Sequence, residues 1–497
     1  MISLIWVLLS AVLISVSRLP LHLGFLVFIA WIPLWHYLRI AKARIWMGAA
    51  IFSLIQMAII FYWISEVTPG GLVGIGIIFF FFYWLSFYLI RLIARQFPKL
   101  GELGFISVML SFEFLQNFGE TRFPWFNTAY SLSDYTWLIQ IADLGGVILI
   151  SGLILGINML LYRVIKGQTR CLVWIAAIIA IWSAYGIYSL KLLPMQKHDP
   201  HIAIMQPSIP QDEKWDMAAY RRILDKYDLL CRAAAQDSIR LIIFPEAAMP
   251  VYLMYDPKSM RELNRLATSY HLEIFTGFPH YEKAPPEHVN DDYFYNSAAL
   301  FKPDGTFSKL YYKNILVPIG ERMLWLDYFP MLWKLQFGQA NWEFGRELQY
   351  YRSGAYQFSP SICYELAFAN IHQRMAIPRQ DGKLRKLDYL VNITNDAWFG
   401  TSYGPWLHAV MTKFRAVENR IQIFRSANTG ISMAVDPCGR IISKAGLFEV
   451  SNLKPPLYTC SRIPLYRHIP HYPFIFVGLA LILAILSWWR ALKGGRA

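Results

Sequence analysis

The sequence predicts a polytopic α-helical membrane domain of about eight transmembrane helices joined to a soluble α/β domain. Of its 497 residues, 56% are hydrophobic and only 16% charged, against roughly a quarter charged in an ordinary soluble protein. The apolar excess lies before Lys191 and in a short block near the C-terminus. From His201 the texture changes to short apolar runs separated by amphipathic stretches, the pattern of alternating strands and helices.

A helix crosses a bilayer with about 20 apolar residues, because each backbone polar group must be satisfied within the segment. Spans are expected at 2–16, 23–38, 46–64, 72–92, 103–118, 138–162, 171–190 and 473–489. The first lacks a basic n-region and a clear small-x-small cleavage site, so it reads as a retained anchor rather than a signal peptide. Glu113, in the fifth, is costly in lipid and is expected to face other helices. Gly152 and Gly156 form a GxxxG expected to allow close helix packing, and Asp143 is placed near a span boundary. Basic residues mark cytoplasmic loops: Arg39, Lys42 and Arg44, then Arg91, Arg95 and Lys99, then Arg163, Lys166 and Arg170, then Arg490, Lys493 and Arg496 follow alternate spans. Both termini are therefore expected in the cytoplasm. The domains expected are 1–194 (seven transmembrane helices), 195–471 (soluble, on the outer face) and 472–497 (a last transmembrane helix and cytoplasmic tail).

The formal charge of +14 is spread without a run of five or more basic residues, and there is no zinc-finger spacing, so nucleic acid is not an expected partner. Five cysteines without a CxxC pair make neither a disulfide framework nor a zinc site. No metal or cofactor is expected, and cysteine is either incidental or catalytic.

In the soluble part, strands are expected at 201–205, 241–244, 274–277, 297–301, 389–394 and 431–435, and helices at 218–236, 259–270 and 405–420. Pro303-Asp304-Gly305 reads as a hairpin turn; 282–292 and 379–386 read as polar loops. Three places carry reactive chemistry. Glu246 follows an apolar strand, where α/β sheets commonly place site residues. Lys313 lies among aromatics, followed by Val317-Pro318-Ile319-Gly320-Glu321. Cys363 opens Cys363-Tyr364-Glu365. Each taken alone has an ordinary structural explanation: a solvated strand end, a snorkelling lysine, a packed thiol. Together they meet the needs of a cysteine nucleophile, which requires a base and a cation for the developing oxyanion, and no metal.

Glu, Lys and Cys in this chain order resemble the nitrilase superfamily, over roughly 197–463. With about seven spans before that region and one after, the whole chain resembles the bacterial apolipoprotein N-acyltransferase family. Further motifs carry the resemblance: QPSIPQ at 206–211 with Lys214-Trp215, NITNDAWFG at 392–400 with Gly404-Pro405-Trp406, RAVENR at 415–420, RSANTG at 425–430, and Phe123-Pro124-Trp125 in the membrane half. Ile319 departs from the pattern, which has Phe before Gly-Glu.

The resemblance implies a nitrilase-like αββα sandwich in the periplasm of a bacterial inner membrane and a two-step acyl transfer, from a phospholipid to a thioester on Cys363, then to the α-amine of a lipoprotein's diacylglyceryl-cysteine. Glu246 is expected as general base, with Lys313 and the Tyr364 backbone N–H stabilising the oxyanion. Glu321 is expected to orient Lys313, and Glu365 to add to the carboxylate network. Trp215, Trp398, Phe399 and Trp406 are candidates for lining the acyl path, where amphipathic rings suit a lipid interface, and Phe399-Gly400 for a moving loop. The alternative is a membrane-tethered nitrilase-type amidase that hydrolyses the acyl-enzyme with water. A non-catalytic scaffold is a more distant one. Pairing among Cys231, Cys438 and Cys460 stays open.

Overall fold

A computed structural model describes residues 3–40, 44–67, 69–216, 218–286, 292–334 and 340–494; Lys42 and Arg496 of the orientation argument lie outside them. The chain divides into two compact units, Met1–Leu192 with His468–Ala497, and Leu193–Arg467.

The first unit is built of apolar helices. Among the described residues, four helices are long and apolar enough to cross a membrane by length and composition: Gly70–Gln96, Ala142–Ile165, Cys171–Leu192 and Phe474–Lys493. Leu4–Arg18, Gly24–Arg39 and Ile45–Ile59 are apolar but shorter, and Gly101–Leu115 carries Glu113. That carboxylate is buried and its Oε1 accepts hydrogen bonds from the Thr128 backbone N–H at 2.9 Å and hydroxyl at 2.5 Å, so it faces protein as expected. Asp143 lies in the first turn of Ala142–Ile165, near the expected boundary, but it is buried rather than interfacial and accepts from the Tyr185 hydroxyl at 2.7 Å. The GxxxG is no tight contact either. A Cβ on Gly156 meets nothing within 4 Å, because the buried face of that helix runs through Ile150, Ile154 and Ile157.

The second unit holds two six-stranded sheets. In the first, Ile202–Gln206, Leu241–Ile243 and the start of Glu273–Lys283 run parallel; the long Glu273–Lys283 and Asp292–Phe301 strands then form an antiparallel hairpin, and Tyr311–Tyr312 closes the edge. In the second, Tyr356–Ile362, Tyr389–Thr394 and Gln422–Ala427 are the parallel centre, flanked by Tyr351–Ser353 on one side and by Met433–Val435 with Ile441–Lys444 on the other. The Ser426 hydroxyl bridges the sheets, donating to the Met205 carbonyl at 2.7 Å with Ile243 O at 3.2 Å.

Helices cover the outer faces. Tyr220–Gln236 and Pro257–Tyr270 bury Ile223, Tyr227, Leu263 and Leu266 in one core with Ile242 and Ile274 of the first sheet. Ala369–Ala376 and Met411–Asn419 pack on the second sheet. The layer order is helix, sheet, sheet, helix.

Strands buried on both faces read as continuous apolar runs, which is why 202–206, 241–243 and 389–394 were legible. Tyr356–Ile362 and Gln422–Ala427 were not expected: they carry Pro360, Ser361, Arg425 and Ser426, yet are fully or largely buried. Residues 379–386, expected as a loop, contain a small hairpin with Gln380 opposite Lys383, and 405–420 is two helices, Gly404–Ala409 and Met411–Asn419. The Pro303-Asp304-Gly305 turn forms as expected, with Gly305 at φ +81° and the Asp304 carboxylate accepting from the Thr306 N–H at 2.9 Å. It returns the chain to Tyr311–Tyr312, so Lys313 leaves the end of an edge strand.

Candidate active site

Ends of sheet strands converge on one place. Glu246 follows 241–243, Lys313 follows 311–312, Cys363 ends 356–362, Asn395 and Asp396 follow 389–394, and Asn428 follows 422–427. The backbone is strained there. Cys363 has φ +49°, Ala247 next to Glu246 has φ +46°, and Ile319 just before Gly320-Glu321 has φ +66°. Non-glycine residues seldom adopt such values, β-branched ones least, and they persist where surrounding bonds over-determine them. At Cys363 those bonds come from Glu365. Its buried carboxylate accepts from the Ile362 N–H at 2.7 Å, the Asn314 N–H at 2.7 Å, the Ile315 N–H at 3.2 Å and the Tyr311 hydroxyl at 2.8 Å. One side chain thus ties the nucleophile's turn to the segment that follows Lys313. Burial pushes Glu365 up to about 7, although these hydrogen bonds and Lys313 oppose the rise.

Lys313 is almost fully buried. Its ammonium donates to Glu321 at 2.8 Å and lies 3.7 Å from Glu246 Oε1. Burial works against this charge, but Glu321, Glu246 and Cys363 outweigh it and hold Lys313 well above the ordinary lysine range. Glu321 is held in turn by the Val317 N–H at 2.8 Å. Glu246 accepts from the Asn296 amide at 2.7 Å and from the Asn395 backbone N–H at 2.8 Å. The structure therefore brings Glu246, Lys313, Glu321 and Glu365 around Cys363. The thiol itself is raised far above the free-cysteine range by burial first, then by Glu246 and Asp396, with Lys313 opposing. At neutral pH it is a protonated thiol that needs a base to react.

Sequence reasoning missed several residues of this centre. Asn296 links Glu246 to Glu321, at 2.7 and 3.3 Å. A Cβ on Gly277 would come 2.8 Å from Ala247 N and 3.1 Å from Glu246 Cα, and one on Gly345 would come 2.0 Å from the Tyr312 carbonyl oxygen beside Lys313. Lys214, noted in the sequence only as part of a motif, is buried and donates to the Glu246 carbonyl at 2.8 Å; burial lowers it to about 8, with Glu246 and Cys363 opposing.

Behind the cysteine, Arg425 donates to Asp396 and, at 2.5 Å, to Asn392 Oδ1. His408 Nδ1 lies 3.1 Å from Arg425 Nη2 and 3.2 Å from Asp396, and its Nε2 lies 3.2 Å from the Cys363 carbonyl. Burial and then Arg425 lower His408. A carbonyl only accepts, so Nε2 donates to the nucleophile's own backbone, and Nδ1 faces both Arg425 and Asp396. Donor atoms of Cys363, Asp396 and His408 lie within 4.8 Å of one another, but the Arg425 guanidinium already supplies the cation against Asp396, so the group reads as a support for the thiol. The signal for this support was present in the NITNDAWFG and RSANTG motifs without its geometry.

Among the expected acyl-path residues, Trp215 and Trp398 are each 48% exposed, while Phe399 and Trp406 are half-buried. Phe399 packs edge-on to His408, 6.1 Å between ring centres. No disulfide joins the described cysteines, so Cys231, Cys438 and Cys460 form no bridge with one another.

With this geometry in place, the comparison with known proteins is decisive. The carbon-nitrogen hydrolase model matches residues 201–453, and the model of the apolipoprotein N-acyltransferase N-terminal domain matches residues 10–160. An apolipoprotein N-acyltransferase of Geobacter metallireducens is 32% identical over 419 residues, covering 80% of this chain and 78% of its own. The chain belongs to the apolipoprotein N-acyltransferase family. Another member, from Chlorobaculum tepidum, is 29% identical over 526 residues, 97% of this chain and 95% of its own, and one from Rickettsia prowazekii is 30% identical over 440 residues, 86% and 82%. In this family's terms the apolar helices are those of a membrane protein, and the αββα unit is its nitrilase-like enzyme domain.

Proposed function

We propose that the chain catalyses the last step of lipoprotein maturation, moving a fatty acyl group from a phospholipid through a thioester on Cys363 to the α-amine of a diacylglyceryl-cysteine. The observation that carries this reading is the buried Lys313 ammonium held between Glu321 and Glu246 beside a protonated thiol. Glu246 removes the thiol proton as sulfur attacks the ester carbonyl, and it returns a proton to the departing lysophospholipid oxygen. Lys313 and the Tyr364 backbone N–H stabilise the tetrahedral oxyanion. In the second step the amine attacks the thioester, Glu246 takes its proton, and sulfur leaves as the thiol. Glu321 keeps Lys313 aimed, and Glu365 holds the turn of Cys363.

Trp215, Trp398, Phe399 and Trp406 line the acyl path in this reading. Extracting a fatty chain into water costs about 0.8 kcal/mol per methylene, which is the reason for a membrane unit. The topology that suits the basic loops has about eight spans, with 1–194 and 472–497 in the inner membrane, both termini in the cytoplasm and 195–471 in the periplasm. No cofactor enters the scheme. Mass spectrometry after incubation with phospholipid tests it: the peptide containing Cys363 should gain one fatty acyl mass that hydroxylamine removes and a lipoprotein amine accepts. An unmodified peptide with turnover intact would sink it.

A further inference from the structure

The soluble unit carries a concave site with no residue of the triad in its wall. A cavity of about 440 Å³ is lined by four arginines, Arg346, Arg374, Arg379 and Arg467, with Tyr350 and Pro378 supplying an apolar side. The carboxylate at its rim, Glu347, is engaged by Lys309 at 2.5 Å. Among the described residues none of the four arginines has a carboxylate within ion-pair distance. Two are fixed by backbone carbonyls. Arg467 donates through Nε and Nη2 to Ile377 O at 3.2 and 3.1 Å, and Arg379 donates to Gly382 O at 2.8 Å. Arg374 ends the helix Ala369–Ala376.

Gathering four like charges in a concavity costs repulsion that water only partly screens and an anion relieves. The crowding is felt: burial first, then Arg379 and Arg374, lower Arg467. Guanidinium forks match the paired oxygens of a phosphate, which they bind bidentately. The cavity falls within the size range of small-molecule sites, roughly 300–1,000 Å³, more than a bare ion needs. A ring and a proline beside the charges suit the organic part of an ester.

We propose that this cavity binds the phosphate group of a phosphate ester, supplied by a phospholipid headgroup. Lipid is favoured over a soluble ester because Arg467 shortly precedes, in sequence, the apolar helix Phe474–Gly494. The site is independent of the acyl-transfer reading, since none of its residues touches the reacting groups.

The test uses the full chain purified in a phosphate-free maltoside detergent, with Cys363→Ala so that acylation does not enter. Two probes are titrated by calorimetry, dihexanoyl phosphatidylglycerol and inorganic phosphate. Arg374 and Arg379 are solvent-facing, so the double variant R374Q/R379Q should fold, checked by its unchanged melting temperature. The expected result is saturable binding of the short-chain lipid, weakened at least tenfold in the double variant and by added salt. Inorganic phosphate binding as tightly as the lipid overturns the headgroup source. Equal lipid binding in the double variant and its parent, or no saturable lipid binding to either, overturns the site.

Discussion

The two sheets of the soluble unit contribute to the centre in different ways. The first brings the charges: Glu246 and Lys313 leave its strands, and Asn296, on a third, connects Glu246 to Glu321. The second brings the nucleophile and supports it through strained backbone and a buried Arg425–Asp396 ion pair, with His408 hydrogen-bonded to the Cys363 carbonyl. The difference is physical. A base and an oxyanion cation act through charge, so they must be buried near each other and held by counter-charges. A thiol acts through the position of one sulfur, so its backbone must be held and its surroundings kept from shifting.

Substitutions on each side should separate these contributions. The largest effect is expected from Cys363→Ala, which should abolish the acyl-enzyme and reduce turnover by a factor on the order of 10⁶, as when other covalent nucleophiles are removed. Residual thioester elsewhere on the chain would move the nucleophile out of the second sheet. Lys313→Met should lower the rate of thioester formation by about 10² to 10³, the size of one lost oxyanion donor, while lipid binding changes little. Single-turnover acylation with labelled phospholipid reads this directly.

On the supporting side, Asp396→Asn leaves Arg425 buried without its counter-charge, so about 3–5 kcal/mol of stability should be lost. Thermal unfolding should show it as a lower melting temperature, and an unchanged melting curve would remove Arg425 from the support. Gly277→Ala should cost about 1–3 kcal/mol by overpacking against Ala247 and Glu246. Its mark should be a kcat that falls more than the melting temperature predicts.

The smallest change concerns Lys214. Its value of about 8 lies below the ordinary 10.5, so in the folded protein the positive charge near Cys363 is present below pH 8 and lost as pH rises through it. kcat/KM should therefore decline on the alkaline side near pH 8. Lys214→Met should remove that limb and lower activity at neutral pH by about tenfold, one pKa unit of lost interaction. An alkaline limb that persists in the variant would assign it to another group.

The extent to which this molecule could be read from its sequence follows the same division. Apolar runs of helical length announced the first unit, and short apolar runs announced the buried parallel strands at 202–206, 241–243 and 389–394. Glu246, Lys313 and Cys363 stood out together, because a cysteine nucleophile needs a base and a cation, although each alone had an ordinary explanation. Tyr356–Ile362 and Gln422–Ala427 were passed over because proline, serine and arginine interrupt them. Arg425 in particular looks like a surface residue until Asp396, Asn392 and His408 are seen around it.

Local patterning thus specified the helical character of the first unit, about half of the sheet strands and the identity of the reactive side chains, since hydrophobic periodicity and residue chemistry are properties of neighbours along the chain. The partnership of Asn296 with two glutamates, the close approach of Gly277 to Glu246 and the gathering of four arginines around one cavity depended on folding. Each joins residues far apart in sequence, and the satisfaction of a buried polar group is known only when its spatial neighbours are.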